Sequence, residues 1–502
     1  LLNPGVLVAP RPLDADLRRP QALPLPKVRG FALDHDGGDF TKAVHRCVGV
    51  GKCRADNTAS GGFMCPSYLA TGDEKDSTRG RARVLQEMAN GTLVTGGWQS
   101  PEVQESLDLC LSCKACASDC PAGVDMAAYK SEALFRRYEG RMRPVTHYVL
   151  GWLPRWARLA SPFARILNPL LQWRPLQRLV LWAGGMDARR SVPRFADVSF
   201  SRSRRTPRGL RDRALARSSR NQPTQNSRAG LETAALEGGT STSGLPTTRG
   251  LRDRALARSS RNPAPRVLVW ADSFSDNFSP SIAHASVAVL EAAGYEVVTP
   301  KPVCCGLTWI TTGQLTAARA KLSALLDEFT PYVDAGVPIL GLEPSCTAVL
   351  RSDLLELLPD DPRSARVAAA THTLAELLAA PEPIGPGARW SPPRLDGTDV
   401  LVQPHCHQHA VMGFDADTRL LEGLGASVTA LAGCCGLAGN FGMEKGHYEV
   451  SVAVAENALL PALRTRASET VFLADGFSCR TQADQLGATR GIHLAELLAE
   501  AL

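Results

Sequence analysis

Cys110-Leu111-Ser112-Cys113-Lys114-Ala115-Cys116-Ala117-Ser118-Asp119-Cys120-Pro121 is the stretch that decides how this chain is read. Its spacing, C-x2-C-x2-C-x3-C-P, is that of thiolates wrapping a cubane [4Fe–4S] cluster. The first three cysteines reach corners of one cube, and the fourth, held out by its proline, ligates the other cluster in two-cluster proteins. Upstream, Cys47, Cys53 and Cys65-Pro66 form a shortened partner run ending in the same Cys-Pro. If the chains cross over in the usual way, Cys65 completes the cluster of Cys110, Cys113 and Cys116. Cys120 then joins Cys47 and Cys53 at a second cluster, a set one thiolate short of a full cubane, so its occupancy stays open. A zinc site or structural thiols are the competing reading, and the complete four-cysteine run argues against them.

With 502 residues, 44% of them hydrophobic, the chain can build about three compact domains. Its fourteen cysteines stand in Cys-Pro and Cys-Cys-Gly contexts that suit metal ligation in a reducing compartment better than disulfides. No apolar run approaches the ~20 residues that span a bilayer. The expected location is cytoplasmic, with or without peripheral contact at the inner face of the membrane. The net charge of +6 is misleading as a whole-chain property. Residues 201–265 hold fourteen arginines against Asp212, Glu232, Glu237 and Asp253, so that segment carries +10 and the remainder −4. The folded parts therefore give no sign of a nucleic-acid surface. The same segment repeats a 14-residue stretch, 208–221 and 249–262, in a Ser/Thr/Gly/Asn-rich context. It reads as a disordered linker with a duplicated insertion.

Residues 1–40 are Pro-rich and extended. From 41 to 143 lies the cysteine-run region, with short helices expected over 78–89 and 126–137. Residues 144–200 interleave Trp152, Trp156, Trp173 and Trp182 with arginines, ten of which fall between 141 and 200 against only Asp187 and Asp197. Two readings stay open: a helical strap packing its tryptophans between domains, or basic helices lying on an anionic membrane. Beyond the linker the pattern is α/β. Strands are expected at 266–271, 295–300 and 337–343, then again at 399–403, 427–432 and 471–475, with helices at 280–293 and 444–464. Such alternation implies small parallel sheets with ligands at the carboxyl ends of the strands. The expected fold is α+β multidomain: a helical ferredoxin-like [4Fe–4S] module followed by two similar α/β cysteine-rich lobes, 266–395 and 396–502.

Each lobe carries Cys-Cys-Gly after a strand, Cys304-Cys305-Gly306 and Cys434-Cys435-Gly436. Adjacent thiols followed by a glycine that folds the backbone tightly can serve one metal centre. The second lobe gathers Cys406, Cys434, Cys435 and Cys479, enough for a four-thiolate metal or cluster site. The first gathers only Cys304, Cys305 and Cys346 and has no cysteine near its opening strand. Around Cys406, strand alternation would set His405, His407 and His409 on one face, whereas a turn at Pro404 would crowd them at one site. Metal binding or proton-coupled electron transfer by His405 and His407 competes with simple helix or strand capping. No G-x-G-x-x-G follows a strand and no G-x4-G-K-[ST] occurs, so the chain shows no flavin or nucleotide site. No catalytic serine, histidine and acid set stands out.

Cys47-x-Gly49-x-Gly51-x-Cys53-Arg54, Met64-Cys65-Pro66-Ser67-Tyr68, Ser77-Thr78-Arg79-Gly80-Arg81-Ala82-Arg83 and the 110–121 run resemble the C-terminal half of bacterial FAD-linked D-2-hydroxy-acid dehydrogenases. The paired Cys-Cys-Gly lobes are similar to those of the heterodisulfide reductase family, of the glycolate oxidase iron–sulfur subunit and of the iron–sulfur component of anaerobic glycerol-3-phosphate dehydrogenase. Leu1-Leu2-Asn3-Pro4-Gly5 resembles the last residues of the flavin-oxidase domain of the fused enzymes. The resemblance implies that hydride passes from a D-2-hydroxy acid to FAD on a flavin domain or subunit outside this sequence. Electrons then leave through iron–sulfur clusters to a quinone or another acceptor. The chain alone would be inactive, its catalytic residues unknown. A redox subunit like those of heterodisulfide reductase or anaerobic glycerol-3-phosphate dehydrogenase is one alternative, although neither lobe has the five-cysteine set of a noncubane cluster. A membrane-docking scaffold is the other, and it would leave both Cys-Cys pairs without a purpose.

Overall fold

The computed structural model describes residues 30–204, 264–381, 384–385 and 390–502. Residues 1–29 of the flavin-domain tail expected over 1–40, and most of the Arg-rich linker with its duplicated stretch, lie outside the described residues. Residues 30–40 pack against the rest of the molecule: Phe31 and Leu33 are buried, and their amides donate to Glu132 and Glu356.

The cysteine-run region is a set of loops pinned by short helices, among them Pro66–Thr71, Thr78–Asn90, Pro101–Asp108, Ala115–Asp119 and Met126–Arg137. Thr78–Asn90 starts where the Ser77 side chain accepts from the Gly80 amide and stops at Gly91 in the left-handed conformation. It buries Ala82, Leu85 and Ala89 completely. Met126–Arg137 opens in the same way, with Asp125 accepting from Ala128.

The α/β part contains two parallel sheets. β1 (Arg266–Trp270), β2 (Glu296–Val298), β3 (Ile339–Gly341) and β4 (Thr371–His372) run in the order β2-β1-β3-β4. β5 (Asp399–Val402), β6 (Ser427–Ala430) and β7 (Val471–Leu473) run β6-β5-β7. Val267, Leu268, Val269 and Trp270 are fully buried, as central parallel strands covered by helices on both faces must be. The second sheet lacks a named fourth strand, but Ile492 bridges Leu473 in parallel where β4 meets β3.

The lobes are joined about a pseudo-two-fold. The long helix between β1 and β2, Pro280–Ala292, packs on the last helix of the second lobe, Leu494–Glu500, while Leu374–Ala379 packs on Asp415–Gly423. The two closing helices share Leu-Ala-Glu-Leu-Leu-Ala at 374–379 and 494–499. Each begins with a capping box, Thr373 with Glu376 and His493 with Glu496. One apolar core built from both lobes results.

One expectation needs correction, and one open alternative is decided. The long helix over 444–464 is two helices, Tyr448–Glu456 and Leu459–Thr465. Pro461 lacks an amide and its ring would collide with the carbonyl of Asn457, which places the break there. Around Cys406 the chain does not continue as a strand, because a helix, Cys406–Val411, starts directly after Pro404-His405.

The segment after the module is a strap of helices, Val145–Val149, Leu153–Ala160, Ala164–Gln172 and Arg174–Ala183. Arg143 donates to the carbonyls of Thr312 and Gly313 in the first lobe. Buried Arg190 donates to the Gly442 carbonyl, Gln482 and Ser451 in the second. Trp152 packs inward and donates to Gln314, but Trp156, Trp173 and Trp182 are exposed. Among the described residues no helix is long and apolar enough to cross a membrane.

Candidate functional site

In the module, the cysteines fall around two small cavities. Cys65, Cys110, Cys113 and Cys116 line one. Cys47, Cys53 and Cys120 line the other. The loop carrying Cys110 to Cys116 curls tightly, with Ser112 and Lys114 at φ 55° and 60°, a region non-glycine residues enter only when the surroundings hold them there. Backbone amides point at sulfur: Arg79 N–H lies 3.4 Å from Cys53 Sγ, and Met126 N–H 3.4 Å from Cys116 Sγ.

The electrostatics suit an anionic occupant. Arg81 is 1% exposed. Its guanidinium donates to the Ser106 carbonyl at 2.8 Å, to Ser67 Oγ at 2.9 Å and to Cys65 Sγ at 3.5 Å. The nearest carboxylate oxygen, on Asp76, is 3.9 Å away. Burial pushes the Cys65 thiol up, but Arg81 and the Ser67 hydroxyl outweigh it and hold it below the ordinary range. Cys113 and Cys116, buried beside other sulfurs, are pushed well up. Thiols so crowded ionise readily only when a cation shares their charge. Four sulfurs, amide donors and an under-compensated guanidinium fit a thiolate-bound iron–sulfur cluster.

Among the described residues, no group of three or more His, Cys, Asp or Glu side chains converges closely enough to hold a single metal ion. One zinc needs every donor within ~2.3 Å of one point. A cluster spreads its thiolates over several irons. The sulfurs of the second lobe are in fact contiguous: Cys406 touches Cys434, Cys434 touches Cys435, and Cys435 touches Cys479. Gly436 makes the turn, at φ +88°, where a Cβ would sit 2.2 Å from the Ser451 carbonyl oxygen.

Each histidine of this helix start has a hydrogen-bond partner away from the sulfurs. His405 caps the Cys406–Val411 helix, its Nδ1 accepting from the His407 amide and its Nε2 donating to Ser478. Burial and neighbouring His407 pull its pKa down to about 3, so it is a neutral cap. His407 donates from Nε2 to the Ser112 carbonyl, inside the module's cysteine loop. His409 donates to Asp119, which also accepts from the Phe63 and Met64 amides. Side chains on one short helix thus clamp Cys406 onto the 110–120 loop, and Cys406 lies close enough to Cys113 for their charges to interact.

In the first lobe Cys305 and Cys346 sulfurs are 3.2 Å apart, and Cys304 touches Cys305. The pseudo-two-fold supplies a fourth position that sequence reasoning missed. Val267-Leu268-Val269-Trp270-Ala271-Asp272-Ser273 aligns with Val400-Leu401-Val402-Gln403-Pro404-His405-Cys406. Asp272 and His405 are both helix N-caps, and Ser273 contacts Cys304 as Cys406 contacts Cys434. A serine therefore stands where the second lobe has its opening cysteine. The shared Val-Leu-Val was the available signal. Buried Lys114, paired with Asp125 at 2.9 Å and with Asp353 of the first lobe at 3.1 Å, was also unforeseen.

Comparison with known proteins agrees with this geometry. Residues 43–124 match the family model of a 4Fe-4S dicluster domain, and residues 272–351 that of a cysteine-rich domain. The chain is 23% identical over 501 residues to a D-2-hydroxyglutarate dehydrogenase of Pseudomonas putida, covering 92% of this chain and 43% of that protein. It is 24% identical over 460 residues to a probable glycolate oxidase iron-sulfur subunit of Bacillus subtilis, covering 87% of this chain and 91% of that protein. It is 37% identical to the Escherichia coli glycolate oxidase iron-sulfur subunit over 81 residues, 16% of this chain and 17% of that one. The chain spans less than half the length of the D-2-hydroxyglutarate dehydrogenases it matches.

Proposed function

We propose that this chain is the iron–sulfur electron-transfer portion of an FAD-linked D-2-hydroxy-acid dehydrogenase of the D-lactate, D-2-hydroxyglutarate or glycolate type. It receives electrons from a flavin-binding domain or subunit and delivers them to a quinone or another acceptor. The observation that carries the reading is the contact of the Cys406 helix with the 110–120 loop, which puts the cysteines of the second lobe next to those of the module. Cys65, Cys110, Cys113 and Cys116 would hold one [4Fe–4S] cluster, and Cys47, Cys53 and Cys120 a second. Cys406, Cys434, Cys435 and Cys479 would hold a further centre, as would Cys304, Cys305 and Cys346. Bound there, such centres supply one-electron steps between a two-electron donor and acceptor.

The chain's own residues set the conditions. Arg81 and the Ser67 hydroxyl favour the thiolate of Cys65, and the buried positions of Cys65, Cys110, Cys113 and Cys116 keep water from their sulfurs. Val48 and Val50, 65% and 63% exposed, follow Cys47 in the loop that lines a cavity with partly exposed Cys120, which supports this rim as the docking face for the flavin partner. The strap's outward side rests on an anionic membrane. Leu159, Phe163, Ile166, Trp173, Leu179 and Trp182 are 57–73% exposed there among arginines.

The test is anaerobic reduction of a flavin partner by its 2-hydroxy acid, then reoxidation by a quinone analogue with and without this chain. Faster reoxidation with the chain, at an unchanged rate of flavin reduction, is the expected result. Equal reoxidation rates would leave the scaffold reading, and substrate-dependent dye reduction by the flavin-free chain would overturn the proposal.

A further inference from the structure

Between the strap and the two lobes lies a cavity of about 280 Å³. Its walls are apolar: Leu153, Leu171 and Val180 come from the strap, Phe274 from the first lobe, and Met443 and Phe477 from the second. Its polar lining includes His405, Cys406 and His407 with Ser112 of the module loop, together with Glu343 and Asn440. His407 is 6% exposed. Because its Nε2–H is given to the Ser112 carbonyl, Nδ1 carries the lone pair, and that atom is buried without a hydrogen-bond partner. A buried acceptor left unpaired costs about 1–3 kcal/mol, so it marks a place where a ligand donor belongs. The occupant these walls select has a flat apolar body, a polar edge able to donate a hydrogen bond, and a seat against a redox cysteine.

We propose that this cavity is the seat of a quinone and its hydroquinone, an inference that rests on the electron-transfer role above. At about 280 Å³ the cavity lies just under the usual ligand-cavity range of about 300–1,000 Å³, which limits it to a single substituted ring, and the alkyl tail follows the apolar strap outward. The strap has the surface to meet a tail delivered from lipid, since its outer side is apolar and basic. In the overall reaction the quinone gains two electrons and two protons. The electrons come from the reduced flavin partner by way of this chain, and the protons it releases balance those taken up. Both ring carbonyls become hydroxyls, and one of these donates to His407 Nδ1.

Anaerobic calorimetric titration of the full chain with a decyl benzohydroquinone in dilute detergent, and in parallel with its dimethyl ether, which has no hydroxyl to donate, tests the assignment without any electron flow. Saturable hydroquinone binding, with the ether weaker by about tenfold or more, is expected. Equal affinities would show a site for apolar bodies only and would overturn the proposal. Val180→Trp and, separately, Leu171→Trp fill the cavity, and each should weaken quinone binding about tenfold while circular dichroism stays that of the wild type. Unchanged affinity in a folded variant argues against this cavity. Photolabelling the unaltered chain with an azidoquinone needs no variant: labels should fall in peptides spanning 149–180 and 437–443, and labels confined elsewhere sink the idea. Failure of the cluster reading would show separately, in iron analysis and low-temperature EPR.

Discussion

At the scale of single residues, Arg81 and Cys113 carry the most direct tests. Arg81→Met removes three hydrogen bonds and leaves the Ser106 carbonyl and the Asp76 carboxylate buried without their cation. Such a loss costs on the order of 3 kcal/mol, to be read as a lower urea midpoint of the cluster-free chain at unchanged m-value. Arg81→Lys, keeping the charge, should recover part of it. Cys113→Ser should abolish the reduced cubane signal in low-temperature EPR after anaerobic reconstitution. A signal unchanged by that variant would remove Cys113 from the proposed ligand set. The cysteines themselves were legible in sequence because ligand spacing is a local property. Arg81, Lys114 and Ser273 were not, because what makes each matter is a partner far away in the chain: Ser106, Asp353 and Cys304.

At the scale of elements, the strap is held inward by a few polar anchors and faces outward with apolar side chains. His147 is one of its inner groups. Burial, helped by Arg143, pulls its pKa from 6.5 down to about 4. The folded state therefore resists a proton that the unfolded chain accepts. Stability from this residue is complete above pH 6.5 and is lost as pH falls toward 4, by about 3 kcal/mol over the window. His147→Gln should flatten that part of the stability curve relative to the wild type in urea titrations at stepped pH. If the two curves stay parallel, His147 is not buried neutral. The outer side has its own test, in which Phe163→Asp with Ile166→Asp should weaken cosedimentation with phosphatidylserine vesicles about tenfold. Equal binding by the double variant would take the strap off the membrane. Strands at β1, β2, β3, β5, β6 and β7 were legible from short β-prone stretches alternating with helical ones. β4, only Thr371–His372, is too short to carry a pattern, and the break near Asn457 needed the weight of Pro461 against an otherwise helical run.

At the scale of the molecule, the lobes are two versions of one design that differ at a single sulfur. Lys114 ties the module to the first lobe through Asp353, while His407 and His409 tie it to the second, so the module touches both versions. The repeat was present in the sequence as Leu-Ala-Glu-Leu-Leu-Ala at 374–379 and 494–499, but its meaning depends on the helices crossing between lobes, which no local pattern reveals. The symmetry makes a reciprocal prediction. Oxygen and sulfur differ little in size at this position but greatly as iron ligands, since soft thiolates favour iron–sulfur centres. Ser273→Cys should therefore complete the first lobe's set with Cys304, Cys305 and Cys346 and raise iron and sulfide per chain after reconstitution. Cys406→Ser should give the second lobe the first lobe's donor set and lower both. Neither change alters the helix caps, Asp272 and His405, so far-ultraviolet circular dichroism should match the wild type. Iron that rises in the first variant and falls in the second establishes that the lobes' metal chemistry follows their shared fold. Iron unchanged in both, in folded protein, would confine the clusters to the module and leave the Cys-Cys-Gly turns as packing.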